Sequence, residues 1–141
     1  MAEIIREKSA GAVIYRKERS GVLYLLIKPN AEQPYGFPKG KTEEGEDDIM
    51  TAKREVFEET GLTVGTFHDD FSHEIHYVYG LTCGSTVKKS VVYFLAEVKD
   101  NKIKLSDEHI CYIWVNYAKA KELLKYANLR RILEKVEKKL L

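Results

Sequence analysis

Cysteine is scarce in this chain: only Cys83 and Cys111 occur, with no Cys-x-x-Cys spacing and no histidine at metal-ligand spacing beside either. That excludes a disulfide framework and a zinc site, and makes a reducing cytosol the expected compartment. No stretch approaches the ~18 consecutive apolar residues of a membrane span, and Glu3, Arg6, Glu7 and Lys8 precede only a short apolar run. A soluble, unprocessed, cytoplasmic protein with no membrane partner is expected. Excess charge is lacking as well. With 23 basic and 22 acidic residues the net charge is +1, so nothing about the whole molecule attracts a nucleic-acid polymer or an anionic lipid surface. A small-molecule partner is expected, with the protein a monomer or a weak homodimer. The cancellation hides an asymmetry. Residues 117–141 hold eight basic and three acidic side chains, against 15 and 19 in the 116 residues before them. That tail reads as a solvated helix face; as a binding surface it would serve a polyanion such as an RNA 5′ end.

What is present suits one compact core: 44% hydrophobic and 11% aromatic residues in a chain of 141, with no repeat, linker or low-complexity segment. Residues 1–141 are expected to form a single domain. Ser9 to Arg16 and Val22 to Lys28 are β-branched and aromatic-rich runs separated by a short turn, which predicts a strand pair. Pro29 to Gly45 is rich in Pro, Gly, Asn and acids and predicts a long, functional loop. Asp47 or Asp48 then caps a helix running to about Thr60, with Gly61 as its left-handed exit. Leu62 to Thr66, Phe71 to Tyr79 and Val91 to Val98 are strand-like, with a Thr82-Cys83-Gly84 turn between the last two, and Ile110 to Val115 follows as a further strand. Leu123, Leu124, Leu129, Ile132, Leu133, Val136 and Leu140 recur at helical spacing. The expected fold class is an α/β/α sandwich (α+β) with a mixed, largely antiparallel sheet, the first helix on one face and the C-terminal helices on the other.

On the first helix, Glu55, Glu58 and Glu59 fall at i, i+3 and i+4 and share one side, while Ile49, Ala52 and Val56 point another way. Carboxylates this close destabilise an isolated helix by about a few tenths of a kcal/mol per pair. A divalent cation removes that penalty, and oxygen-only ligands favour a hard ion such as Mg2+, with Mn2+ a possible substitute. Magnesium shares its coordination with substrate phosphates, so the chemistry indicated is attack of an activated water on a phosphoanhydride. A glutamate-rich helix alone is more often just solvated, so the flanking residues decide the matter.

Those residues are Gly40, Glu46 and Arg54-Glu55-Val56-Phe57-Glu58-Glu59-Thr60-Gly61-Leu62. They resemble, at every defining position, the signature of the Nudix hydrolases, Gly-x5-Glu-x7-Arg-Glu-U-x-Glu-Glu-x-Gly-U. The resemblance implies metal binding by Glu55, Glu58 and Glu59, orientation of these carboxylates by Arg54 through ion pairing, and a place for Glu46 near the metal. It also implies a metal contact from the main-chain carbonyl of Lys39. Gly40 and Gly45 would let the backbone approach a metal or phosphate closely, or else simply form a tight turn.

Beyond the signature, Gly36-Phe37-Pro38-Lys39-Gly40, Gly45-Glu46-Asp47-Asp48, the run Val92 to Lys99 and Glu108-His109 are similar to the asymmetrical diadenosine tetraphosphate hydrolases within that family. This implies hydrolysis to ATP and AMP, a base stacked on a downstream tyrosine, Tyr77 or Tyr79, and a loop acid, Glu108, that serves as a metal ligand or general base. Tyr77 and Tyr79, two residues apart, share one strand face and also suit ordinary sheet packing. Lys39, Lys88 and Lys89 are candidate phosphate contacts, since a tetraphosphate carries about four negative charges. His109 titrates near neutrality and is a candidate for the same role. Trp114 is read as core. Two departures touch the nucleotide cleft: Tyr35-Gly36-Phe37 stand where the subgroup commonly has Trp before Pro-Lys-Gly, and the segment from Gly80 to Lys88 is longer than usual. Other Nudix activities compete, namely pyrophosphate removal from RNA 5′ ends and cleavage of nucleoside triphosphates or ADP-ribose. So does a binding module without turnover, which the intact acids oppose.

Overall fold

The structure, a computed structural model, describes residues 3–100, 102–109 and 111–141. Its centre is β1 (Ile4–Glu18), in which residues 9–15 are buried in succession because both faces of the strand are covered. β1 turns through Arg19 and Ser20 into β2 (Gly21–Lys28), and the two pair antiparallel from Tyr15↔Tyr24 to Glu18↔Gly21. The remaining strands are β3 (Lys39–Lys41), β4 (His73–Gly80), β5 (Thr86–Glu97) and β6 (Cys111–Val115). The sheet runs β4-β5-β1-β2-β6, with β3 beside the N-terminal half of β1. Among the described residues only β1 and β5 are parallel neighbours; the other pairs are antiparallel, as the sequence predicts for the sheet as a whole.

Helix α1 (Asp48–Thr60) covers one face and the helices α2 (Tyr117–Leu123) and α3 (Ala127–Leu140) the other. Even-numbered β1 residues Ala10, Ala12 and Ile14 meet Ala52 and Val56 of α1. Odd-numbered Val13 and Tyr15 join Ile132, Leu133 and Val136 of α3. This is the strand period of two meeting the helix period of 3.6. Among the described residues no helix is long and apolar enough to cross a membrane.

Several expectations change. β1 begins at Ile4, not Ser9, because the charged run Arg6-Glu7-Lys8 pairs in register with Lys88-Lys89-Ser90 of β5; ladder pairing overrides local propensity. The loop from Pro29 to Gly45 contains β3 and an isolated Ile27↔Gly36 bridge. Leu62 to Thr66 is not a strand: Leu62 and Val64 are buried as alternation demands, yet no neighbouring strand pairs with them. β4 starts at His73, two residues after Phe71. Ile110 lies outside the described residues. Ile49 is 46% exposed, so it leaves the packed face of α1 to Ala52 and Val56.

Candidate active site

Helix α1 is held at both ends by local chemistry. Asp47, not Asp48, is the N-cap, its carboxylate accepting the Met50 N–H at 2.8 Å. Gly61 closes the helix at φ 76°, its N–H donating to the Phe57 carbonyl at 2.8 Å. Thr51, Ala52, Val56 and Thr60 are buried beneath it. That orientation turns Arg54, Glu55, Glu58 and Glu59 toward β3 and the loop before β6.

Arg54 is the hub of this surface. Its Nε and one terminal nitrogen grip Glu46 in a fork (2.7 and 3.0 Å), and the same nitrogen donates to the Lys41 carbonyl at 2.9 Å. The other terminal nitrogen donates to Glu55 at 2.7 Å and lies 3.2 Å from Glu58. Glu46 also accepts the Glu43 N–H and the Thr51 hydroxyl, at 2.9 and 3.0 Å. The Arg54 hydrogen bond, with these two, holds the Glu46 carboxyl down at about 2. Glu46 thus divides its lone pairs between Arg54, the Glu43 N–H and the Thr51 hydroxyl.

The carboxylates differ sharply in environment. Glu58 is half exposed, whereas the side chains of Glu55 and Glu59 are 14% and 7% exposed. Glu55 lies against the β3 backbone: a Cβ on Gly40 would sit 2.0 Å from its carboxyl carbon, so only glycine admits this approach. Gly45 does something different, adopting φ 84° with nothing near its missing side chain, which makes it a turn residue. Burial, followed by the Glu55 charge, pushes the Glu59 carboxyl up to about 8. Burial raises Glu55 too, with Arg54 opposing.

Among the described residues the Glu59 carboxyl has two polar neighbours from elsewhere in the chain. The Lys39 backbone N–H donates to Oε1 at 3.3 Å, and His109 Nε2 stands 3.2 Å from Oε2. Ser106 Oγ, which accepts the Glu108 N–H at 3.3 Å, is 3.1 Å from His109 Nδ1. A serine proton aimed at Nδ1 leaves the ring proton on Nε2, donated to Glu59; this tautomer is assigned from the network. Burial holds His109 below its ordinary value, opposed by the Glu108 charge, so the imidazole serves as a neutral donor.

A cavity of ≈ 650 Å³ opens beside this cluster. Glu59, Glu108, His109, Lys39 and Lys89 contribute to its walls, as do Tyr77 and Tyr79, which share a face of β4 as their spacing requires. Lys89 is half-buried, and burial with the charges of Lys39 and Lys41 lowers its proton affinity. Lys88 is exposed and points to the opposite face of β5, outside the cavity, since adjacent strand residues alternate. Glu55, Glu58 and Arg54 flank the cavity without lining it. Trp114 packs beside the α1-side core with the Arg16 guanidinium 5.0 Å from its ring centroid.

Sequence reasoning set Tyr35 and Phe37 near the nucleotide cleft, whose wall they join, but missed Tyr126 and Leu129 there. Tyr126 had a signal: it breaks the apolar helical spacing between Leu124 and Leu129, at the boundary where α2 gives way to α3.

Glu55, Glu58 and Glu59 share one side of α1, the charge of Glu108 acts on both Glu55 and Glu59, and desolvation disfavours charge on those two. That donor set fits a hard divalent cation. Among the described residues no group of three acidic, histidine or cysteine side chains is poised to hold a metal as it stands. Arg54 lies between Glu55 and Glu58, so loading a cation there requires these contacts to rearrange.

Comparison with known proteins places this arrangement. A model of the NUDIX domain matches residues 5–136. The asymmetrical bis(5′-nucleosyl)-tetraphosphatase of Sus scrofa is 32% identical over 138 residues, covering 90% of each chain. That of Caenorhabditis elegans is 32% identical over 132 residues, covering 91% of this chain and 92% of its own. A solved C. elegans Ap4A hydrolase binary complex superposes with a TM-score of 0.84 at 32% identity, over 95% of this chain and 97% of that one. The NUDIX domain of Shewanella oneidensis NrtR, complexed with ADP ribose, shares the fold alone: 15% identity, TM-score 0.75, covering 100% of this chain and 90% of that one. With the signature intact from Gly40 to Leu62 and the likeness running nearly end to end, the chain belongs to the NUDIX family, as a pyrophosphohydrolase similar to the asymmetrical Ap4A hydrolases.

Proposed function

We propose that this protein is a magnesium-dependent hydrolase that cleaves diadenosine tetraphosphate asymmetrically to ATP and AMP. One observation carries the reading: the buried acid Glu59 and the tyrosines Tyr77, Tyr79 and Tyr126 line a single cavity, with Lys39 and Lys89 among them. A base, a polyphosphate and an attacking water thus find suitable partners in one space.

NUDIX hydrolases generally use divalent metal ions. Glu55, Glu58 and Glu59 would hold the ion, with Glu108 and the Lys39 carbonyl as further oxygen donors. Bound there, magnesium would neutralise phosphate charge and lower the pKa of water. The protein's own residues do the rest. Arg54, anchored by Glu46, fixes the azimuth of Glu55 and Glu58. His109 and the Lys39 N–H fix that of Glu59. Lys39 and Lys89 offset the charge of the polyphosphate, and a tyrosine face stacks on the base, contributing on the order of 1–3 kcal/mol. Water forms a new P–O bond, the anhydride linkage between one nucleoside-bearing phosphate and its neighbour breaks so that ATP and AMP separate, and the water proton passes to a carboxylate among Glu55, Glu59 and Glu108.

We read residues 1–141 as one domain, acting in the cytosol as a monomer or weak homodimer; the free thiols of Cys83 and Cys111 support that compartment. The test is product analysis with Mg2+: ATP and AMP in equal amounts are expected from diadenosine tetraphosphate. Glu58→Gln and Glu59→Gln should each lower turnover at least ~100-fold. Two ADP per substrate, or tight binding without turnover in the unmutated protein, sinks the proposal.

A further inference from the structure

The segment from Lys104 to His109 is stitched to the end of α1 by its main chain. The Lys104 N–H donates to the Thr60 carbonyl at 2.9 Å, the Ser106 N–H to the Glu59 carbonyl at 3.3 Å, and the His109 N–H to the Ser106 carbonyl at 3.2 Å. Ser106 is thus bonded through its backbone to both members of the Glu59–His109 side-chain pair. We infer that Ser106 is a positioning residue whose hydroxyl fixes the His109 imidazole as the tautomer that donates from Nε2 to Glu59. The inference rests on the function proposed above, in which Glu59 serves the reaction, and it assigns a residue to which that function gives no part.

Three observations carry it. First, the ring is enclosed. The side chain of His109 is 11% exposed and that of Glu59 7%, so water is a poor substitute partner for either ring nitrogen. Among the described residues, Ser106 Oγ at 3.1 Å is the polar group in reach of Nδ1, and Glu59 Oε2 at 3.2 Å the one in reach of Nε2. Second, the direction of the hydroxyl is set locally. Ser106 Oγ accepts the Glu108 N–H at 3.3 Å, which occupies a lone pair and leaves the O–H to donate toward Nδ1. The opposite tautomer fails at both ends: an Nδ1–H would bring a second donor to the serine oxygen and strand the serine proton, and the Nε2 lone pair would face a carboxylate. Third, the backbone bonds named above already hold Ser106 between Glu59 and His109, so the hydroxyl acts without rearrangement.

Nitrogen-15 spectra of the full chain, free of metal and substrate, read the tautomer directly, because correlations from the carbon-bound ring protons separate protonated from bare ring nitrogens. At about pH 9 an imidazole is neutral and Glu59 is ionised. His109, identified among the four histidines by its loss in His109→Gln, should carry its proton on Nε2. Ser106→Ala should raise the Nδ1–H share about five-fold, the effect of one lost hydrogen bond, and Ser106→Thr, which keeps the hydroxyl, should restore it. An Nδ1–H ring in the unmutated protein overturns the assignment whether or not a variant folds, and so does an unchanged share in Ser106→Ala. Turnover with Mg2+ reads the consequence. Ser106→Ala should lower kcat about five-fold with KM within about two-fold, yet cost less than about two-fold when added to His109→Ala, because the serine acts through that ring. An equal loss in both backgrounds means that Ser106 only holds the loop, and the positioning role is gone. A protein that shows the tautomer shift but releases no ATP and AMP keeps the role of Ser106 at Glu59 and loses the proposed activity; hydrolysis with an unmoved tautomer does the reverse.

Discussion

The imidazole of His109 lies 3.2 Å from the carboxylate of Glu59, and both side chains are nearly sealed from solvent. A neutral ring donating to a desolvated acid steadies its charged form. Removing the donor therefore raises the proton affinity of Glu59 further, and the acid limb of the pH–rate profile moves to higher pH. His109→Ala should show that shift with about a 10-fold loss in kcat near pH 7, while His109→Gln, which keeps an N–H donor, should recover part of both. An unshifted limb in His109→Ala would remove this role.

Stability without metal should fall as pH rises. Glu59 has its folded value lifted from 4.5 to about 8, so its contribution is complete below about 4.5 and is lost as pH climbs through about 8. Glu55 shifts in the same direction. Glu46, lowered to about 2, acts oppositely: its contribution is present above about 4.5 and disappears as pH falls through about 2. Thermal melts in EDTA should therefore show a declining Tm between pH 5 and 8. Saturating Mg2+ should lessen the decline, because the ion takes the deprotonated acid, and Glu59→Gln should flatten it. A level Tm across that window in the metal-free protein contradicts the account.

Arg54 grips Glu46 with two nitrogens, which the single ammonium of a lysine cannot copy. Arg54→Lys is thus expected to keep the charge, lose the fork, and cost about 1–3 kcal/mol of stability. Its kcat/KM should drop about 10- to 100-fold, since Glu55 and Glu58 lose their common anchor. Denaturant melts and kinetics on one preparation check both.

Neighbouring lysines should behave differently. Lys89→Ala is expected to raise KM roughly ten-fold by removing a half-buried phosphate donor. Lys88→Ala, on the far face of β5, should change KM less than about two-fold. Equal effects would mean the phosphates do not follow the cavity.

Tyr77→Ala and Tyr126→Ala each remove a stacking surface on the cavity wall. A rise in KM of about 5- to 150-fold from whichever ring carries the base corresponds to ~1–3 kcal/mol. If neither variant changes KM, stacking on these rings is ruled out.

Helix α1 was legible in the sequence because its determinants are local. Asp47, Gly61 and the spacing of Glu55, Glu58 and Glu59 act within a few turns, and Gly40 to Leu62 is one continuous stretch. The stretch from Leu62 to Thr66 misled because burial alternates there without a partner strand, and alternation is all that a sequence displays. Register made β1 longer than its apolar run, and the strand period turned Lys88 and Lys89 to opposite faces of β5.

By itself, then, the sequence determined the acidic helix, its glycine exit and the sheet class, since each follows from side-chain type and short-range spacing. Tertiary structure alone decided that His109 meets Glu59 across 50 positions of chain, that Glu46 pairs with Arg54, and that Tyr126 joins Tyr77 and Tyr35 around one opening. Those contacts depend on how α1, α3 and the loop before β6 pack on the sheet, and packing is a property of the whole chain that no local window contains.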